Sequence, residues 1–250
     1  MIISHPTPKL VPSLKELWQS VFCDTTDYIN SFFDFAFSPL RALCACEGDT
    51  PVSMLYWLDC CAYEKRLAYI YAVATKEEYR GKGYARALLA KAEEELLQAG
   101  YSGIILVPST PELFEFYEGL GFNGDIFMDK ITVNAEKAPI SFSYVTDEEY
   151  YNRRKMLLPT DAVIEGRASI SFLSKQATLL SGDDFVCAVR TQKDTLFCVD
   201  IAGNLDRLSA LAGAFDLSKG VARVRGRGRF ALFKPLVSMP TPTQFSLAFD

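Results

Sequence analysis

The chain has one histidine, His5, and no Cys-x-x-Cys pair among its seven cysteines. A histidine-built zinc site, or a nucleophile activated by histidine, would rest on that single residue. Both classes are set aside and no metal is expected. The cysteines are Cys23, Cys44, Cys46, Cys60, Cys61, Cys187 and Cys198, an odd number, with Cys60 and Cys61 adjacent and badly placed for a structural bridge. They read as small buried hydrophobes in a reducing, cytoplasmic setting. No apolar run approaches the ~18 residues of a membrane span. The start, Met1-Ile2-Ile3-Ser4-His5-Pro6, lacks the basic and apolar regions of a secretory signal. Positive charge is also short: 26 Lys and Arg stand against 31 Asp and Glu, net −5. That balance weighs against a nucleic-acid coat protein. Residues 1–139 hold 12 basic and 19 acidic side chains. An acidic first half suits a cationic acceptor and is equally common in ordinary soluble domains.

What remains is a globular composition, 49% hydrophobic and 23% charged over 250 residues. At about 150 residues per domain this is one domain or two. Helical spacing of Leu14, Leu17, Trp18, Val21 and Phe22, then of Phe32, Phe33 and Phe35, predicts two helices in 10–37, with Ser13 as a start signal and a break at Asp24-Thr25-Thr26-Asp27. Strands are expected at 43–46, 52–62, 68–75, 103–107 and 126–133. A helix over 84–99 is expected to bury Leu88, Leu89, Ala92, Leu96 and Leu97 and to turn Glu93, Glu94 and Glu95 to solvent. Ser109-Thr110-Pro111-Glu112 starts another helix with capping-box spacing. Residues 135–139 read as a linker between domains 1–134 and 140–250. Beyond it, helices are expected at 147–158, 162–173 and 204–215, the last capped by Asn204. A hairpin joins 185–190 to 195–201, and strands follow at 221–224, 230–233 and 245–249.

The informative stretch is 68–122. A strand ends in Val73-Ala74-Thr75, a turn carries Arg80-Gly81-Lys82-Gly83, and a helix opens at Tyr84-Ala85. Glycines just before a helix free its first N–H groups, at the positive end of its dipole, to hold an anion. Arg80 and Lys82 add charge suited to phosphates. The turn alone is weak. It lacks P-loop spacing, and Arg86 stands where a dinucleotide fingerprint has its third glycine.

Together with a second motif, the stretch resembles the GNAT (Gcn5-related) N-acetyltransferases. Their Arg/Gln-x-x-Gly-x-Gly/Ala signature is matched by Arg80, Gly83 and Ala85, and their Tyr-x-x-x-Gly-Phe helix end by Tyr117, Gly121 and Phe122. The resemblance covers residues 1–133 firmly and 140–250 only loosely. It implies an α/β fold: a mixed, twisted sheet flanked by helices, followed by a smaller α/β domain that is one candidate for a degenerate GNAT-like unit. It further implies that acetyl-CoA is the cosubstrate, with its pyrophosphate on the N–H groups of Gly81, Lys82, Gly83, Tyr84 and Ala85 and its pantetheine arm along Val73, Ala74 and Thr75. Thr110 stands where many members carry Asn.

The implied reaction moves an acetyl group directly to a primary amine on a small molecule or peptide. A lysine-type amine, with a pKa near ~10.4, must first lose a proton, and the departing thiolate must gain one. Tyr117 matches the family's general acid. It also sits in a Leu113, Phe116, Tyr117, Leu120 stripe that reads as plain core. Trp18, Phe32, Phe33 and Phe35 are candidates for an acceptor pocket or for core. Arg223, Arg225, Arg227 and Arg229 alternate as a solvated face or as a contact for an acidic partner or RNA. No acid or histidine lies on 68–73, so the base is sought at Asp59, Glu64, a water chain or the terminal Asp250. Two other classes stay open: a non-catalytic acyl-CoA-binding module, and a Fem-like aminoacyl transferase meeting tRNA through its arginines, against which the acidic total counts.

Overall fold

In the computed structural model, residues 2–249 are described. They divide into two compact units of mixed α/β structure. The first comprises Met1–Cys60, Lys65–Gly124 and Leu232–Pro240, the second Cys61–Glu64, Asp125–Ala231 and Thr241–Asp250. The boundaries therefore differ from 1–134 and 140–250. The expected linker is pinned inside the second unit: the Ala135 N–H donates to the Ser218 carbonyl and the Glu136 N–H to that of Ser209.

The first unit runs β1 (Ile2–Ser4), α1 (Val11–Phe22), α2 (Thr26–Phe35), β2 (Ala42–Glu47), β3 (Thr50–Ala62), β4 (Lys65–Thr75), α3 (Tyr84–Gln98), β5 (Gly103–Leu106) and α4 (Pro111–Glu118). Its strands lie in the order β1-β2-β3-β4-β5. β1/β2 and β2/β3 are antiparallel and β4/β5 is parallel. β3 is buried almost continuously, as a central strand covered on both faces must be. Tyr63 and Glu64, at φ 52° and 60°, turn β3 tightly into β4. On one face α3 sends Leu88, Leu89, Ala92 and Leu96 against Leu43, Leu55, Ile70 and Ile104. Leu97, expected in the same stripe, is exposed. The helix pair α1/α2 contributes Trp18, Phe32 and Phe33, whose rings meet Tyr56 within 5.1–5.8 Å. Each such aromatic adds about 2–3 kcal/mol by burial. Thr25, rather than either neighbouring aspartate, caps α2 through the Tyr28 N–H. Ser13 lies inside α1, whose start is set by Leu10 and Pro12.

The second unit holds β6 (Gly124–Asn134), β7 (Phe142–Tyr144), α5 (Asp147–Leu157), β8 (Ile164–Glu165), α6 (Arg167–Leu173), β9 (Thr178–Gly182), β10 (Phe185–Gln192), β11 (Thr195–Gly203), α7 (Arg207–Ala214) and β12 (Lys219–Pro235). Its order β7-β9-β10-β11-β12 has three antiparallel pairings and then a parallel one. From β7 onward, with the short β8 set between α5 and α6, the succession follows that of the first unit as far as β5.

Several expectations change here. The helix over 162–173 begins only at Arg167, because Ile164–Glu165 is extended. Asn204 does not cap α7; its side chain donates to Asp184. The strands at 221–224 and 230–233 are one strand, Lys219–Pro235, whose final residues Leu232–Pro235 pair with β5 inside the first unit. Glycines alternate in it because Asp129 lies across the backbone and accepts the Arg227 and Gly228 N–H groups at 3.0 and 2.8 Å. A Cβ on Gly226 would collide with that carboxylate. Residues 245–248 are buried, as a terminal strand would be, but are irregular.

The second unit also encloses a charge cluster with no counterpart in the sequence expectations. Arg154, Glu165, Asp200, Tyr150 and Ser246 are each at most 2% exposed. The Arg154 Nε donates to Asp200 at 2.6 Å, Tyr150 and Ser246 donate to the same carboxylate, and Glu165 lies 2.5 Å from Nη1 without hydrogen-bond alignment. One guanidinium thus faces two carboxylates. Burial, with Asp200's charge adding, pushes Glu165 up to about 8 despite Arg154.

Candidate active site

The site is built at the end of β4. Its parallel pairing with β5 spans only Leu67–Tyr69 against Gly103–Ile105 in register. Two residues past Ile70, Ala72 has φ 50°, a kink that a non-glycine residue adopts rarely. The strand then follows β3 alone: Ser53 Oγ donates to the Ala74 carbonyl at 2.7 Å and faces Thr75 Oγ1 at 2.8 Å. Val73 is half-buried against the α3 side. The two strands thus part after Tyr69.

The turn that follows is open. Gly81 and Gly83 have φ 72° and 85°, and nothing lies within 4 Å of where either Cβ would be. Gly83 occupies the cap position of α3 with no side-chain cap, so the first N–H groups of α3 are left for a ligand. An anion fits this cradle. Lys82 Nζ rests 5.0 Å from the Tyr79 ring centre, and the Arg80 Nε donates to the Thr75 carbonyl at 3.3 Å. Tyr84 turns inward: its hydroxyl donates to Glu47 at 2.5 Å, which lowers the carboxyl's pKa and pushes the phenol up to about 12. Ala85, half-buried, keeps the first turn narrow. Thr110, not Ser109, is the cap residue of α4, and its side chain makes no cap bond to the helix. The capping-box expectation from Ser109 to Glu112 fails because the helix starts one residue later, and the Glu112 carboxyl's pKa is lowered by its own backbone N–H and then by the Thr110 side chain.

Between α3 and the turn that follows α4, beside the ends of β4 and β5, is a cavity of about 240 Å³ with Ile70, Leu89, Ile104, Leu120 and Phe122 in its walls and Arg86 and Glu93 among its polar groups. Tyr117 is 7% exposed and packs in the same cluster, its ring 5.8 Å from that of Phe122. Burial pushes its hydroxyl up to about 12, so it holds its proton across the neutral range. Glu93 does not simply face solvent; it pairs with Lys234, a residue the sequence reading passed over because it lies 141 positions away.

The remaining candidates fall elsewhere. Asp59 is committed to Tyr101, Arg66 and Arg41, which together outweigh burial and lower its pKa. Glu64 sits in the turn at the opposite end of β4 from the glycines. His5 is held by the Pro39 and Ala42 carbonyls and by Glu95. Trp18, Phe32 and Phe33 are buried and fill their face, while Phe35 is exposed. Arg229 pairs with Asp125, and Arg223 stacks on Phe230. Asp250 lies outside the described residues. In the second unit the turn between β11 and α7 is closed: the Asp184 carbonyl fills the space beside Gly203, and Arg207 pairs with the Asp184 carboxylate.

The sequence model of the acetyltransferase (GNAT) family matches residues 8–122. Over that segment the chain is similar to the family. The matched segment contains both the glycine turn and Tyr117. Solved structures share the fold of the chain. A GCN5-related N-acetyltransferase from Kribbella flavida superposes with TM-score 0.71 at 14% identity, covering 94% of this chain and 72% of its own. An acetyltransferase from Pyrococcus horikoshii, described as putative, gives 0.68 at 13%, covering 98% and 92%. Eis1 from Mycobacterium abscessus gives 0.68 at 10%, covering 94% and 74%. No curated protein matches the chain by sequence. No helix among the described residues is long and apolar enough to cross a membrane.

Proposed function

We propose that the first unit transfers an acetyl group from acetyl-CoA to a primary amine. The observation that carries this reading is the open, uncapped glycine turn set directly after a strand that has parted from its neighbour. The N–H groups of Gly81 to Ala85, with Arg80 and Lys82, would hold the pyrophosphate, and the unpaired edge at Val73 to Thr75 would take the pantetheine amides. When bound, acetyl-CoA supplies the activated acyl group. Tyr117, protonated at neutral pH, donates a proton to the leaving sulfur, and the cavity walls exclude water. The amine acceptor is a small molecule or peptide. Seven free cysteines support a cytoplasmic, reducing location.

The packing of Tyr117 among apolar rings favours a second reading, a domain that binds acyl-CoA without turnover. The test is thiol release from acetyl-CoA over a panel of amines, namely polyamines, amino acids, aminoglycosides and peptides with free N-termini. Release with an amine supports the enzyme. CoA binding without release across the panel supports the binding module.

A further inference from the structure

The cavity beside the ends of β4 and β5 is larger than an acetyl group needs. Its volume is about 240 Å³. That is room for about eight water-sized groups, and an acetyl methyl takes the place of a single one. Along α3 the cavity runs from Arg86, on the first turn beside the glycines, to Glu93 two turns on. The walls are apolar: Ile70, Leu89, Ile104 and Phe122 are each at most 6% exposed. The carboxylate in the lining, Glu93, is neutralised by Lys234 at 2.6 Å. The cavity also adjoins the proposed chemistry. Ile70 directly follows Tyr69, where the pairing of β4 with β5 ends. The Tyr117 carbonyl accepts the Leu120 and Phe122 N–H groups at 2.9 and 3.2 Å, and its ring lies 5.8 Å from that of Phe122. Two walls of the cavity are thus fixed to the residue that must meet the thioester sulfur.

We infer that this cavity takes the tail of the acyl group, so that the donors include straight-chain acyl-CoA of about six carbons besides acetyl-CoA. The inference rests on the acetyltransferase reading above. The acyl carbon stays beside Tyr117, and the chain beyond it lies between α3 and the turn after α4. The bonds made and broken are the same for every donor. The neutral amine nitrogen bonds the acyl carbon, the C–S bond breaks and the sulfur takes the Tyr117 proton. The nitrogen gives a proton to water, from which Tyr117 recovers its own. Each methylene buried against these walls favours binding by about fourfold. A charged chain end would lose its hydration against them, so the class is apolar acyl groups.

The experiment is calorimetry of two unreactive thioethers, S-ethyl-CoA and S-hexyl-CoA, on the wild type, Ala90→Phe and Leu120→Trp, with melting temperature alongside. Thiol release from acetyl-CoA and hexanoyl-CoA over the amine panel is the second readout. Ala90 lines the cavity from the exposed side of α3, so a ring there fills the space without entering the core. Leu120→Trp fills it from the other wall. The expected result is S-hexyl-CoA binding roughly tenfold or more tighter than S-ethyl-CoA in the wild type. That preference falls to about twofold or less in both variants, melting temperature is kept, and kcat/KM for thiol release follows the same ratio. Equal affinity for the two thioethers in the wild type overturns the acyl pocket and leaves the acetyltransferase standing. An equal loss for both thioethers in the variants does the same, because the cavity then holds the arm that all donors share. Absence of thiol release from either donor with every amine overturns the acetyltransferase reading and the pocket with it.

Discussion

The Lys234 Nζ lies 2.6 Å from a Glu93 carboxylate oxygen of α3 and donates at 2.8 Å to the Leu120 carbonyl just past α4. One side chain, 17% exposed, thereby ties α3 to the turn after α4, on either side of the cavity. Lys234→Met keeps the stem but leaves Glu93 and the Leu120 carbonyl unpaired. The expected outcome is a stability loss of about 1–2 kcal/mol in denaturant titration. CoA affinity falls with it, while Lys234→Arg restores most of both.

Gly83→Asp places a carboxylate over the uncapped N–H groups at φ 85°. Calorimetry should show CoA binding abolished in a protein that still melts cooperatively, because the new side chain meets open space rather than core. Gly83→Ala, with strain of about 1–2 kcal/mol and no charge, should weaken binding less.

Tyr117→Phe should leave CoA affinity nearly unchanged and lower turnover roughly 10²-fold, the usual scale of proton-transfer catalysis. Since the phenol's pKa is pushed up to about 12, no alkaline fall in rate from its ionisation is expected below about pH 11. Stopped assays across pH 6–10 check both statements.

In the second unit, Glu165 binds its proton more tightly folded than unfolded, where a carboxyl sits near ~4.3. The folded state therefore holds an extra proton between those values. Its stabilisation is complete below about pH 4 and is lost as pH rises to about 8. Melting temperature compared at pH 5.5 and 8.5 should fall more for the wild type than for Glu165→Gln, which carries no titrating proton. Arg154→Met, leaving two buried carboxylates with no cation, should cost about 3–5 kcal/mol at neutral pH.

What could be read in advance was local. The Gly81/Gly83 turn, the stripe of α3 and the end of α4 announce themselves within a few residues, since each depends on backbone freedom or helical spacing. Arg154 was hidden because its partners Glu165, Asp200 and Ser246 come from three separate stretches of chain. Lys234 was hidden for the same reason. The strand expected at 245–249 looked apolar enough, but burial alone does not supply a pairing partner.

The strand Lys219–Pro235 gives its last residues to the sheet edge beside β5. A chain emerging from the ribosome therefore exposes β5 with an open edge until more than a hundred further residues have been made. A fragment ending at residue 134 should express as an aggregation-prone species, and adding a synthetic 232–240 peptide should rescue its solubility. The order of synthesis thus withholds the finished first unit until residues 232–235 have been made.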